Sequence, residues 1–180
     1  MRVRHPIEVE SYRILRSRID TTGFGALHRA VAERIVHTTA DPSWVGDLVA
    51  EEEALASGKR ALDDGAPLIV DVSMIAAGVT SRPCTVCAEA DGGLVTVARQ
   101  LPVGAVWALG QDWRAVTELA RLCAAGNVVP ALVIALPAGF VGAVDAKRVL
   151  RDGAVPSLTN RGERGGPALV TAAVNALLYA

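Results

Sequence analysis

A chain of 180 residues, 51% of them apolar, is long enough to bury the core of one domain, and a single domain over residues 1–180 is expected. Its formal net charge is −1 with no basic cluster, which argues against a nucleic-acid surface. The apolar residues come in short runs broken by charge, Gly and Pro, well under the roughly 20 that a spanning helix needs. The N-terminal MRVRHPIEVESYRILR lacks the apolar middle of a secretory leader, so a cytoplasmic protein is expected, with no membrane partner.

All cations but Lys59 and Lys147 are arginines, whose forks bind carboxylates through paired hydrogen bonds. A GC-rich gene is the other reading of the same bias. Cys84, Cys87 and Cys123 are expected as reduced thiols in core or loops. Cys84 and Cys87 form a C-x-x-C, but a structural zinc needs four ligands and His5, His28 and His37 are scattered, so no metal site is expected.

In chain order, the spacing of Ile7, Ser11, Ile14, Leu15 and Ile19 predicts a helix over Ile7–Ile19. Leu27, Val31 and Ile35 predict a second over Ala26–Thr38, and a third helical region runs from Pro42 through the Glu51–Glu53 acids to Leu62. After Gly65-Ala66-Pro67 the pattern changes. Leu68–Val72, Ala105–Leu109 and Ala131–Leu136 are short apolar runs of the kind found in strands buried on both faces; Thr85–Glu89 and Pro156–Thr159 are further candidates. Helices are predicted between them, over Leu94–Leu101, Trp113–Ala125 and Val144–Arg151, with a last one over Pro167–Leu178.

Strands alternating with helices predict an α/β fold: a parallel sheet with helices on both faces, joined by right-handed crossovers. Ligands of such sheets lie beyond the C-terminal ends of the strands. Function is therefore sought in Ser73–Thr80, Gly110–Trp113, Pro137–Gly142 and Asn160–Pro167. There is no G-x-G-x-x-G and no P-loop, so no nucleotide cofactor is expected.

Three stretches carry candidate chemistry. His37 ends a helix, and an imidazole exchanges protons near neutral pH; Asp41 is close enough in sequence to orient the ring or stabilise its charge. The alternative is a histidine that only complements a helix C-terminus. The glycine-rich Asn160-Arg161-Gly162-Glu163-Arg164-Gly165-Gly166-Pro167 opens an apolar helix, which makes either an anion site or a well-formed helix start. Pro137–Ala143 comes directly after a strand, and its two glycines allow close backbone approach to a ligand or simply a tight turn.

Taken in order, these pieces resemble the precorrin-8X methylmutases. The matching motifs are Glu10-Ser11-Tyr12-Arg13-Ile14-Leu15-Arg16, Arg34-Ile35-Val36-His37-Thr38, and the stretch from Gly65-Ala66-Pro67 through Asp71-Val72-Ser73-Met74 to Gly78. Pro130–Ile134, Gly139–Ala143 and the glycine loop running into Ala173-Val174-Asn175-Ala176-Leu177 complete them, so the resemblance covers nearly the whole chain. It implies a three-layer flavodoxin-like fold, a homodimer, and an isomerisation that uses no cofactor. In that reaction a methyl group shifts between adjacent carbons of ring C of a tetrapyrrole (corrin precursor), giving hydrogenobyrinic acid or cobyrinate. His37 matches the family's catalytic histidine, read as the acid that protonates the macrocycle. Ser11, Arg16 and Thr38 match positions around the substrate, and the other motifs put Met74, Gly110, Gly139, Arg164, Gly165 and Gly166 on the substrate side.

There are also departures. Asp91-Gly92-Gly93 stands where the family carries a Thr-Arg-Ser-type motif, so the chain reads as shortened there and without an anion-binding Arg. Gly110-Gln111-Asp112-Trp113-Arg114 replaces a Gly-Asn-Ala-Pro-Thr loop, Asp145-Ala146-Lys147 replaces Glu-Ser-Lys, and Pro167 replaces a Ser. Two other readings stand beside the methylmutase: a divergent paralogue that binds a corrinoid without turnover, and an interaction domain with no tetrapyrrole ligand.

Overall fold

A computed structural model of the chain describes residues 5–180. Residues 1–4, the first part of the stretch read for a leader, lie outside the described residues. Among the described residues six strands form one sheet: β1 (Leu48–Ala50), β2 (Leu68–Val70), β3 (Thr85–Val86), β4 (Val106–Leu109), β5 (Leu132–Ala135) and β6 (Ser157–Asn160). Their spatial order is β1-β6-β5-β4-β2-β3. β2 to β6 pair in parallel, whereas β1 lies antiparallel to β6. Without β1, the strands wind in the flavodoxin-like order, with the switch in direction between β2 and β4.

Nine α-helices among the described residues flank the sheet: α1 (Pro6–Arg16), α2 (Ala26–Thr39), α3 (Trp44–Asp47), α4 (Glu52–Asp63), α5 (Ser73–Gly78), α6 (Gly93–Gln100), α7 (Trp113–Ala124), α8 (Ala143–Asp152) and α9 (Pro167–Leu178). None is long and apolar enough to cross a membrane. The strand period of two divides the core. Leu68, Val70, Val106, Ala108, Leu132 and Ile134 point into one cluster with Ile35 of α2, Leu55 of α4 and Val170 and Val174 of α9. Ile69, Trp107, Leu109, Val133 and Ala135 point the other way, against Val97 of α6, Val116 and Leu119 of α7 and Leu150 of α8. Each of the larger aliphatic side chains, fully withdrawn from water, stabilises the fold by roughly 1.5–3 kcal/mol.

Two expectations about element bounds are corrected. The helical region predicted from Pro42 to Leu62 is α3, then strand β1, then α4. Leu48–Ala50 is too short to show a period, and the acids after it read as helix. The expected parallel sheet is present from β2 to β6, and that same short strand closes its edge in reverse. Ser73–Gly78, to which the sequence pattern assigns no element, is the helix α5. α1 also stops at Arg16, before Ile19, where Ser17 turns its hydroxyl onto Ile14 O at 2.7 Å.

α2 carries the candidate histidine, and both of its ends are unusual. It has no side-chain cap of its own. Instead, the Glu52 carboxylate accepts from the N–H groups of Leu27 and His28 at 2.8 and 3.0 Å. A Cβ at residue 25 would collide with that carboxylate, so a larger residue there would displace the cap. It ends at Ala40, whose φ of 55° is the left-handed turn that closes many helices.

Candidate active site

His37 occupies the last turn of α2, half-buried, where α1 packs across it. Ser11 Oγ lies 3.0 Å from its Nδ1. The Tyr12 ring stacks on the imidazole, with centroids 4.8 Å apart and planes 16° from parallel. The Arg16 guanidinium lies over the same tyrosine, 5.6 Å from its centroid. Arg16 in turn forks onto Glu33 at 2.9 and 2.7 Å. Glu33 and His37 are four residues apart, hence on one face of α2, and Ser11, Tyr12 and Arg16 answer them from α1. The Glu33 hydrogen bonds raise the Arg16 pKa above its ordinary value, so this cation stays charged.

Beside this stack opens a cleft of about 430 Å³, walled by Tyr12, Arg16, Glu33 and Arg34 with Asn175 and Tyr179 at the chain's C-terminal end. Tyr12 is thus both a wall of the cleft and a face of the histidine. Arg34 reaches Glu8 across it at 3.5 Å. The Thr38 hydroxyl donates to Arg34 O at 2.8 Å.

Asp41 does not orient the ring, contrary to expectation. Its carboxylate accepts from Ser43 N and Oγ at 2.9 and 2.7 Å and from the Arg164 guanidinium. The left-handed turn at Ala40 carries the chain away from the imidazole. The Ser43 bonds, then Arg164, hold the Asp41 carboxyl below the usual range.

A second group forms beyond the C-terminal ends of the parallel strands. Asp71, just past β2, accepts from Gly110, Gln111 and Asp112 N–H at 3.0, 2.6 and 3.3 Å, all on one oxygen. Its other oxygen is buried without a partner among the described residues. Burial pushes its pKa up against the pull of those amides. Gly110 is needed because a Cβ there would press on Pro167 and Val170. Gly139 N–H donates to Glu163 O at 2.9 Å and Gly166 N–H to Leu136 O at 2.7 Å, stitching the loops after β5 and β6 together. A Cβ at 165 would overlap Leu136 O. Trp113 lies against Gly142, with the Arg114 guanidinium 4.9 Å from the indole. Met74 stands 65% exposed on α5.

Arg164 ties this second group to the segment that follows α2. It pairs with Asp41 and with Asp47 at 3.0 Å, donates to Ser43 Oγ at 2.9 Å, and lies 4.3 Å over the Trp44 ring. Behind it, Lys147 donates to Asn160 Oδ1 at 2.8 Å and to three loop carbonyls. Burial pushes its ammonium down to about 8.

His37, Ser11 and Arg16 therefore meet, with Thr38 adjacent; Gly110, Gly139, Gly165, Gly166 and Arg164 form the second group. Tyr12, Glu33, Asp47 and Asp71 were not singled out from the sequence as site residues. For Glu33 a signal existed: an acid between Ala32 and Ile35, four residues before His37 on one helix face. Asp71 ends an apolar strand at the switch point, a place where a carboxylate is unusual enough to notice. Among the described residues no three His, Cys, Asp or Glu side chains gather as a metal cluster. Cys84, Cys87 and Cys123 are free thiols.

Comparison with known proteins places this arrangement in context. The family model for precorrin-8X methylmutase matches residues 6–91 and 89–180. The two segments meet at the loop before α6, where the sequence reads as shortened. The cobalt-precorrin-8 methylmutase of Methanocaldococcus jannaschii is 30% identical over 169 residues, covering 86% of this chain and 80% of that protein. The precorrin-8X methylmutase of Pseudomonas aeruginosa is 30% identical over 190 residues, covering 93% and 91%. The crystal structure of precorrin-8x methyl mutase from Thermus thermophilus superposes with a TM-score of 0.90 at 30% identity, covering 97% of this chain and 96% of that one.

Proposed function

The chain belongs to the precorrin-8X methylmutase family, isomerases of cobalamin biosynthesis, and from that premise we propose that His37 is the general acid of its methyl shift. The observation that carries the proposal is the imidazole held from two sides, by the Ser11 hydroxyl and the Tyr12 ring, beside an open cleft. With Nδ1 engaged by Ser11, Nε2 is the nitrogen left to deliver a proton. Protonating the macrocycle draws electron density from the carbon that bears the methyl group and lowers the barrier to its migration to the neighbouring carbon of ring C. The proton returns as the product settles, so the sum is an isomerisation with no cofactor consumed. General acids of this kind contribute about 10²–10⁴-fold in rate.

The substrate on this reading is precorrin-8X or its cobalt form, a flat macrocycle fringed with carboxylate arms. Ser11, Arg16 and Thr38 face it from the helix pair; Gly110, Gly139, Arg164, Gly165 and Gly166, with Met74, serve it from the strand ends. Residues 1–180 act as one methylmutase domain in the cytoplasm. We propose a homodimer, supported by Ile7 and Ile14, which stand 73% and 37% exposed seven residues apart on one face of α1.

Purified protein added to precorrin-8X, followed by its visible spectrum with His37→Ala alongside, tests the reading. Conversion that His37→Ala abolishes is expected. Tight binding without conversion returns the paralogue that only binds, and a flat titration removes the corrinoid altogether.

A further inference from the structure

Lys147 is one of two lysines in the chain and is fully buried, at 0% exposure. It projects from α8, one turn after the loop that leaves β5. Its ammonium donates to Pro137 O at 3.2 Å, Arg164 O at 3.2 Å, Asn160 Oδ1 at 2.8 Å and Gly162 O at 2.5 Å. Four oxygens share three N–H bonds, and none of the four is charged. A buried cation without a carboxylate in contact is costly, so its retention calls for a reason.

The compensating charge arrives second-hand. Asn160 takes the ammonium on its carbonyl and donates from Nδ2 to Asp47 at 3.0 Å. Asp47 also accepts from Arg161 N and Gly162 N at 3.0 and 2.9 Å and pairs with Arg164. The ammonium therefore grips backbone on both sides of one junction. Pro137 begins the loop after β5; Gly162 and Arg164 lie in the loop after β6. The two loops touch again where Gly139 N–H meets Glu163 O and Gly166 N–H meets Leu136 O. Arg164 carries the order onward to Asp41, just past the end of the helix bearing His37.

We propose that Lys147 is a positioning residue, whose ammonium fixes the loops after β5 and β6 against each other and, through Arg164 and Asp41, against the end of α2. The inference rests on the proposed function, in which these loops face the macrocycle. Lys147 itself touches no substrate. It sets where the loop amides and glycines stand when substrate arrives.

Lys147→Met keeps the length and apolar volume of the side chain and removes the donors. Two readouts separate positioning from mere stability: backbone hydrogen exchange at the Gly139 and Gly166 amides, and steady-state kinetics with precorrin-8X on folded protein. Both amides are expected to exchange about tenfold faster while the core amide of Val133, bonded to Pro156 O, stays protected. KM is expected to rise about tenfold with kcat falling no more than about threefold. A folded variant with wild-type exchange overturns the proposal, and so does faster exchange with unchanged KM. If the wild-type protein does not turn over precorrin-8X, the parent reading fails, and exchange alone then decides whether the ammonium orders the loops. Where Lys147→Met does not fold, Lys147→Gln is measured in the same way, with smaller shifts in the same direction expected. Folded protein from neither variant assigns the ammonium to fold stability alone and overturns the proposal.

Discussion

Ser11 Oγ sits 3.0 Å from Nδ1 of His37, across the contact between the first two helices. A hydroxyl that donates there leaves the ring proton of the neutral imidazole on Nε2. Ser11→Ala is therefore expected to lower kcat about tenfold with little change in KM, while His37→Ala lowers it at least about 100-fold. Spectrophotometric rates on precorrin-8X check both; a serine variant with wild-type kcat would mean that Tyr12 stacking alone orients the ring.

The Arg16–Glu33 fork is half surface and half core: the Glu33 side chain is 7% exposed and that of Arg16 is 56%. Charge-assisted bonds contribute about 1.5–3 kcal/mol when buried, and water at the arginine reduces this to about 1 kcal/mol. Glu33→Ala is expected to lower Tm by about 2–4 °C in calorimetry. Arg16→Ala is expected to raise KM for a carboxylate-rich substrate more than it lowers kcat. Kinetics unchanged from wild type would remove Arg16 from the substrate side.

Gly142 has φ 77°, and a Cβ added to it would stand 2.6 Å from the indole of Trp113. Gly142→Ala thus combines a backbone cost of about 1–2 kcal/mol with an overlap costing about 1–3 kcal/mol. In a Trp113→Ala background only the first cost should remain. Urea unfolding of the two single variants and the double variant measures the difference; strictly additive losses would show that the ring yields freely.

Burial, then the neighbouring Asp71 charge, pushes the Cys87 thiol up to about 12. The unfolded thiol ionises near pH ~8.5, so the folded protein holds the proton that the unfolded chain releases. Its contribution is complete below about pH 8.5 and declines as pH rises towards 12. Stability measured from about pH 8 to about pH 10 should fall less steeply in Cys87→Ala than in wild type. Identical slopes would place the pH dependence elsewhere.

The strands β2, β4 and β5 were legible because each is an uninterrupted apolar run, the mark of burial on both faces. β1 and α5 were not, since three and six residues are too few for a period to show. His37, Ser11 and Arg16 came from motif order rather than from spacing. The bonds that hold them are not written locally: Ser11 and His37 are 26 residues apart, and Asp71 reaches amides 39 to 41 residues away. Asp41 shows the converse, for proximity in sequence suggested a partner that one left-handed residue took away.

The borrowed start of α2 has a consequence for how the chain is made. Its first amides are answered by Glu52, a residue synthesised after the helix is complete. Until α4 emerges from the ribosome and docks, those two N–H groups have only water as partner and the helix frays from that end. The first turn of α2 is therefore ordered late, by a carboxylate from the helix that follows β1.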